Sequence, residues 1–319
     1  MYVARGGIGN ELGRRFHDLF CHMDWNVGIV DEPISAFVEG DAKPEVRWFP
    51  PVGSGRYLAD PFGIVHDGRA YVFCEDFDYQ SSKGVIAQIR LSEDGTPSDR
   101  QTAIEMPFHM SYPCLFEWHG EIYCVPETHQ AEEIGLYRAT RFPSSWTKEA
   151  SLIPNFAGVD PTVFTYGGRW WIACTDQNWG PNTGLFLFHA PGPTGPWVPH
   201  SGNPVRRGLR GSRPAGTPFT HKGQLFRPAM DSPRTYGERI LIHRVTRLSP
   251  TEFEEELASV VEPFASGPYR YGVHTLSAVG DRTLVDGLRV TFEKVEFQRA
   301  WSRDVNEFLG FITPPWHKG

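Results

Sequence analysis

The chain has little of what would commit it to several common classes. Its five cysteines, Cys21, Cys74, Cys114, Cys124 and Cys174, are odd in number and include no CxxC pair. That excludes a disulfide framework or a zinc ribbon and leaves reduced thiols as the expectation. No apolar run reaches the roughly 18 residues of a membrane-spanning helix. Met1 to Asn26 contains Arg5, Arg14 and Arg15 but no apolar stretch of signal-peptide type, so a cytoplasmic location is expected. Lys and Arg number 31 against 38 Asp and Glu, a net charge of −7. This acidic balance argues against nucleic acid or a membrane surface as partner. The glycines of Met1 to Gly9 follow no strand and precede no Lys of the phosphate-loop kind, so no nucleotide site is expected. No low-complexity linker divides the chain, and a single domain over 1–319 is expected.

What the chain has in quantity is aromatic residues, 13%, with 33 Gly and 27 Pro. That mixture favours short strands joined by tight turns. One pattern recurs: an apolar strand, a turn with Gly, then an aromatic strand. It runs from Asp60-Pro-Phe to Gly68, from Tyr112-Pro-Cys to Gly120, from Asp160-Pro-Thr to Gly168, from Pro218-Phe to Gly223 and from His274-Thr-Leu to Gly280. The turn glycines are 52, 48, 55 and 57 residues apart. A period near 50 residues fits one four-stranded propeller blade. The fold expected is therefore all-β, a five-bladed β-propeller over roughly residues 45–300. Residues 1–44 form an extension, with a short helix over Asn10–His22 and a strand over Trp25–Val30 that closes the ring.

Hairpin geometry locates the polar residues. Pairing about each turn glycine sets Asp60 opposite Glu75, Tyr112 opposite Glu127, and Asp160 opposite Thr175. It sets Pro214 opposite Asp231 beside Arg213, and Thr275 opposite Asp286 beside His274. Opposed side chains lie about 5 Å apart, and inner strands converge on the ring axis, so these groups are expected around one pocket. An Asp before Pro often only orders a turn, but the equal register of Asp60 with Asp160 and of Glu75 with Glu127 favours a shared role. Carboxylates held close cannot all ionise freely. One becomes a proton donor at neutral pH, the equipment for glycosidic-bond cleavage.

Arg213 and Arg227 read either as ion pairs that neutralise the acids or as forks for an anionic substrate group. His109 and His274 read as core histidines, substrate contacts or water-mediated metal ligands. Cys74, Cys124 and Cys174 read as packing, and Trp170, Trp171 and Trp179 as core or as a sugar-stacking wall.

Several segments together, among them Ala59-Asp-Pro-Phe, Ser111-Tyr-Pro, Val125-Pro-Glu-Thr128, Val159-Asp-Pro161, Arg213-Pro-Ala-Gly, Arg227-Pro-Ala and Gly272-Val-His-Thr275, resemble a known family. It is the N-terminal domain of plant glucosamine inositolphosphorylceramide transferase and its bacterial relatives. That domain is similar to the five-bladed furanosidase-like propellers, glycoside hydrolase family 43 included. The resemblance covers about residues 25–290. Family 43 implies an Asp base in the first blade, a tuning Asp in the second and a Glu acid in the third. Asp60 matches the first. Tyr112 stands where the second is kept, and no Glu lies between Glu149 and Glu238. The resemblance also implies a divalent metal near His274 in the central channel; otherwise no cofactor is expected.

The leading expectation is a glycoside hydrolase-like enzyme with Asp60 as base or nucleophile, Glu127 as general acid and Asp160 as orienting carboxylate. Glu75, His109, Tyr112, Arg213, Arg227, Asp231 and His274 are expected to line the pocket and bind a small-molecule or glycan substrate. Two alternatives stand: a propeller that binds a glycan or glycoconjugate without turnover, and a repurposed pocket running another acid–base reaction, such as a cyclisation.

Overall fold

A computed structural model describes residues 22–40 and 44–291. The helix expected over Asn10–His22 lies outside the described residues, apart from His22, which begins a strand. Trp25–Leu288 forms one compact unit that holds five antiparallel sheets, each built on four consecutively paired strands. These are the five blades of a propeller.

The inner strands are Arg56–His66, Ser111–Trp118, Gly158–Tyr166, Arg210–Pro214 and Leu276–Val279. They neighbour one another in that order, and the last returns to the first. His22–Val30 lies between Arg47–Trp48 and Arg282–Thr291 in the fifth sheet, so the N-terminal strand closes the ring on the last blade as expected. Apolar side chains pack between blades. Cys74, Cys114, Cys124 and Cys174 are buried free thiols within that packing.

The register differs from the simple hairpin rule in one repeated way. Phe62 pairs with Phe73 as the rule requires, but Glu75 pairs with Ala59 instead of Asp60. Glu127 likewise pairs with Ser111, and Thr175 with Val159, with a shift just after each. The cause is proline. Pro61, Pro113 and Pro161 have no N–H for the ladder, so the strand bulges at the Xaa-Pro step. Asp60, Tyr112 and Asp160 take φ of 53°, 47° and 50° there. Non-glycine residues so placed cost about 1–3 kcal/mol each and are concentrated at functional sites. In the fourth blade Pro214 pairs with Ala229, and Asp231 with Arg210, not with Pro214.

Candidate functional site

Each bulge frees a backbone N–H and re-aims a side chain. The Asp60 amide donates to Asp286 Oδ2 of the fifth blade at 3.1 Å, and the Asp160 amide donates to Glu127 Oε2 of the second blade at 3.0 Å. Carboxylates of one blade thus cap the bulge of the next. The result is a cluster in which Asp60, Glu127 and Asp160 are all near enough to act on Glu75.

At one side Asp60 meets the fifth blade. His274 Nε2 lies 3.1 Å from Asp60 Oδ1, and Nδ1 lies 2.9 Å from Asp286 Oδ2. The Thr275 hydroxyl donates to Asp60 Oδ1 at 3.0 Å. Asp286 Oδ1 accepts the amides of His274 and Thr275, each at 2.9 Å. Burial alone would lower the His274 pKa, but Asp286 and Asp60 outweigh it and push the imidazole up to about 10. It is an imidazolium at neutral pH, with Trp25 and Tyr236 ring centroids 4.1 and 5.2 Å away. Asp60, His274 and Asp286 also form a group of metal-type ligands whose donor atoms lie within 4.8 Å of one another.

Across the pocket one guanidinium serves two carboxylates. Arg213 grips Asp160 with a two-pronged fork, Nη2 donating to Oδ1 at 3.1 Å and Nε to Oδ2, and its Nη2 lies 4.0 Å from Glu127 Oε2. Its Nη1 donates to Asn182 Oδ1 at 3.2 Å, and Tyr236 lies under the guanidinium at 5.2 Å. Burial would raise the Glu127 carboxyl, but His129, at 2.7 Å from Oε1, and Arg213 hold it at about 2. Burial pushes Asp160 up, with Glu127 and Asp60 adding to the push, and Arg213 opposes it.

Glu75 is different. It is buried, and among the described residues no donor bonds it. His109 Nδ1 accepts the Gly84 amide at 2.9 Å, so its proton sits on Nε2, 3.6 Å from Glu75 Oε1 and too far for a hydrogen bond. Burial pushes the Glu75 carboxyl well above its ordinary range, Asp60, Glu127 and Asp160 add to that, and only His274 opposes. Tyr57, stacked on Phe77 at 4.9 Å, lies beside it and gives the pocket an aromatic wall.

Of the residues expected in the pocket, Asp60, Glu75, His109, Glu127, Asp160, Arg213 and His274 come together. Arg213 is committed to acids, so it is no free fork for substrate. Three others stand elsewhere. Arg227 is buried within the fourth blade on Glu255 at 2.7 Å, and Asp231 is locked between Arg210 and Arg239. Pairing with Arg210, beyond the register shift between Arg210 and Pro214, takes Asp231 off the position expected for it. Tyr112 is a strut: its hydroxyl lies 2.9 Å from Thr162 Oγ1 and accepts the Gly216 amide at 2.6 Å, tying the second blade to the third and fourth. Tyr112→Phe leaves the Gly216 amide without its acceptor in the core, while Thr162 keeps its bond to the Asp160 carbonyl. It is expected to cost about 1–3 kcal/mol in denaturant unfolding and to leave ligand affinity unchanged.

Trp171 is core and Trp170 packs on Phe116, whereas Trp179 is half exposed. Sequence reasoning missed Trp25, Tyr57, Tyr236, His129 and Asn182. His129, two residues after Glu127, was the one with a local signal.

Residues 51–267 match the family described as "Glucosamine inositolphosphorylceramide transferase 1, N-terminal". Among curated proteins, glucosamine inositolphosphorylceramide transferase 1 of Oryza sativa subsp. japonica is 33% identical over 205 residues, 62% of this chain and 27% of that one. The Arabidopsis thaliana protein of the same name is 32% identical over 250 residues, 74% of this chain and 32% of that one. The chain therefore spans a third or less of the length of these relatives. Among solved structures, a family 117 glycoside hydrolase from Zobellia galactanivorans superposes with a TM-score of 0.55 at 17% identity, covering 86% of this chain and 91% of that one. A GH43 beta-xylosidase/alpha-arabinofuranosidase from a compost microbial metagenome gives 0.54 at 14% identity, covering 76% and 93%. At such identities the likeness is one of fold.

Proposed function

The chain belongs to the family of glucosamine inositolphosphorylceramide transferase 1 N-terminal regions, and on that premise we propose that its central pocket binds a carbohydrate and acts on a glycosidic or similar acetal bond. One observation carries the reading. Glu75, a buried carboxyl with no hydrogen-bond donor among the described residues and a raised pKa, stands beside Asp60, whose charge is paired by the His274 imidazolium. An acid kept protonated next to a charge-paired carboxylate is the pairing that glycoside cleavage requires. The general-acid role expected of Glu127 passes to Glu75, because His129 and Arg213 hold Glu127 at about 2.

In this mechanism Glu75 gives its proton to the leaving-group oxygen as the C–O bond breaks. Asp60 either takes a proton from the attacking water or attacks the anomeric carbon itself. His274 and Thr275 hold Asp60 in place, and the Arg213–Asp160–Glu127–His129 chain fixes the opposite wall. A divalent cation fits the donor set of Asp60 and His274, with Asp286 behind the ring; when bound it would supply positive charge where the His274 proton now supplies it. The name shared by the curated relatives supports a sugar-bearing ligand.

A second reading, a ring that binds a glycan without turnover, is favoured by the absence of any Glu from the third blade. Aryl glycosides separate the two. Turnover by the wild type, lowered at least about a hundredfold in Asp60→Ala, is the outcome expected. Saturable glycan binding without turnover would favour the second reading, and neither turnover nor binding would defeat both.

A further inference from the structure

The central cluster is acidic, yet the chain that runs beside it from the third blade into the fourth is not. In a chain of net charge −7, the eight residues Arg206-Arg-Gly-Leu-Arg-Gly-Ser-Arg213 carry four guanidiniums. The two at the ends are neutralised: Arg206 by Glu255 at 2.9 Å, Arg213 by Asp160. The two between them are not neutralised in the same way. Arg207 is exposed and has no acidic partner among the described residues; its guanidinium lies over the Trp179 ring, 5.1 Å from the centroid. Arg210 is 63% exposed and reaches only an acid already taken, since Asp231, 3.3 Å from it, also holds Arg239 at 2.9 Å.

This positive shelf adjoins the acid pocket. The Gly208 amide donates to the Thr183 carbonyl at 2.8 Å, and the preceding residue, Asn182, holds Arg213, which grips Asp160. The shelf also has a firm base. Arg206 donates through Nε to the Arg210 carbonyl at 3.1 Å, and buried Arg227 shares Glu255 with Arg206 while donating to the Gly211 carbonyl at 2.7 Å. A guanidinium laid on an aromatic face keeps its N–H edge free, and that planar edge suits a phosphate.

We propose that the Arg207–Arg210 shelf binds the phosphate group of a phosphorylated sugar or phosphoglycoconjugate whose sugar part enters the acid pocket. An anion is excluded from the pocket by its carboxylates and is held at the edge, so the ligand is oriented by charge before any chemistry. The inference rests on the carbohydrate reading of the pocket.

The test uses the full chain and calorimetric titration with a panel of sugar 1-phosphates, their parent sugars and inorganic phosphate. A phosphorylated sugar is expected to bind at least about tenfold tighter than its parent, the weight of one charged hydrogen bond, and to weaken as salt rises. Arg207→Ala with Arg210→Ala should abolish that gain and leave the parent sugar's affinity unchanged. The paired Lys variants, which keep the charge but lose the fork, should retain part of it and guard against misfolding of the Ala pair. Phosphate binding that survives in the Ala pair, or none in the wild type, overturns the shelf. Sugars that bind with no gain from phosphate overturn it too and leave the pocket reading standing. Phosphate binding without any sugar binding does the reverse. Vesicles of phosphatidylcholine with phosphatidylinositol serve as the second source: capture by them alone, lost in the Ala pair, assigns the phosphate to a lipid headgroup.

Discussion

A Glu75→Gln protein is expected to lose turnover of a responsive glycoside by about 10²–10⁴-fold while folding at least as well as the wild type near neutral pH. Gln keeps the shape of the side chain and removes the proton to be donated. The stability half of the expectation follows from linkage. The Glu75 carboxyl ordinarily titrates near 4.5 and lies well above that in the folded protein, chiefly through burial. Between those two values the folded state holds a proton that the unfolded state has released. Wild-type stability from this group is therefore present below about pH 4.5 and is lost as pH rises towards the folded value. The Gln variant lacks that loss, so its advantage over the wild type should grow as pH rises from about 4.5 towards the folded value in denaturant melts. A kcat lowered less than about tenfold would place the donated proton on another group.

Arg213→Met is expected to be the most damaging single change in the pocket for stability. The side chain is largely buried and supplies the positive charge to Asp160 and Glu127. Removing one partner of a buried ion pair costs about 3–5 kcal/mol, because the other charge is left buried without compensation. The sign of the pH response identifies the cause. Asp160, already pushed up by burial, would rise further without Arg213. Below the wild-type Asp160 value, which burial already holds well above the ordinary 3.8, both proteins keep that proton and run in parallel, so through this group the variant should fall away only as pH rises beyond it. Urea melts at pH 4 and pH 7 measure this, and Asp160→Asn in the Arg213→Met background should recover part of the loss. A loss below about 1 kcal/mol at pH 7 would mean that water reaches the acids and that the clamp is only superficial.

Much of the fold was legible because it is local. A turn glycine with positive φ, flanked by apolar strands, specifies a hairpin wherever it occurs, and Gly68, Gly120, Gly168, Gly223 and Gly280 all have such φ values. The same reasoning brought Asp60, Glu75, Glu127 and Asp160 to one pocket, because hairpin register is local arithmetic. It went wrong by one residue at Asp60-Pro61, Tyr112-Pro113 and Asp160-Pro161, where proline forces a bulge that the count about the turn does not contain. It also went wrong for Asp231, taken by arginines of the two adjacent strands, and for Arg227, whose partner Glu255 lies two strands away in the fourth blade.

The number of blades and the acids carried by each hairpin were readable from the residues alone, since each depends on chemistry within about 50 residues, whereas closing the ring joins His22–Val30 to Arg282–Thr291 at the other end of the chain. Which acid can give a proton emerges only in the assembled ring. Glu75 and Glu127 hold equivalent places in their hairpins. Glu127 meets His129 and Arg213 and becomes a firm carboxylate, whereas Glu75 meets no donor among the described residues and keeps its proton. A pKa is set by what closes around a group in space, and for Glu127 that is a neighbour two residues on, His129, together with Arg213 from a distant blade.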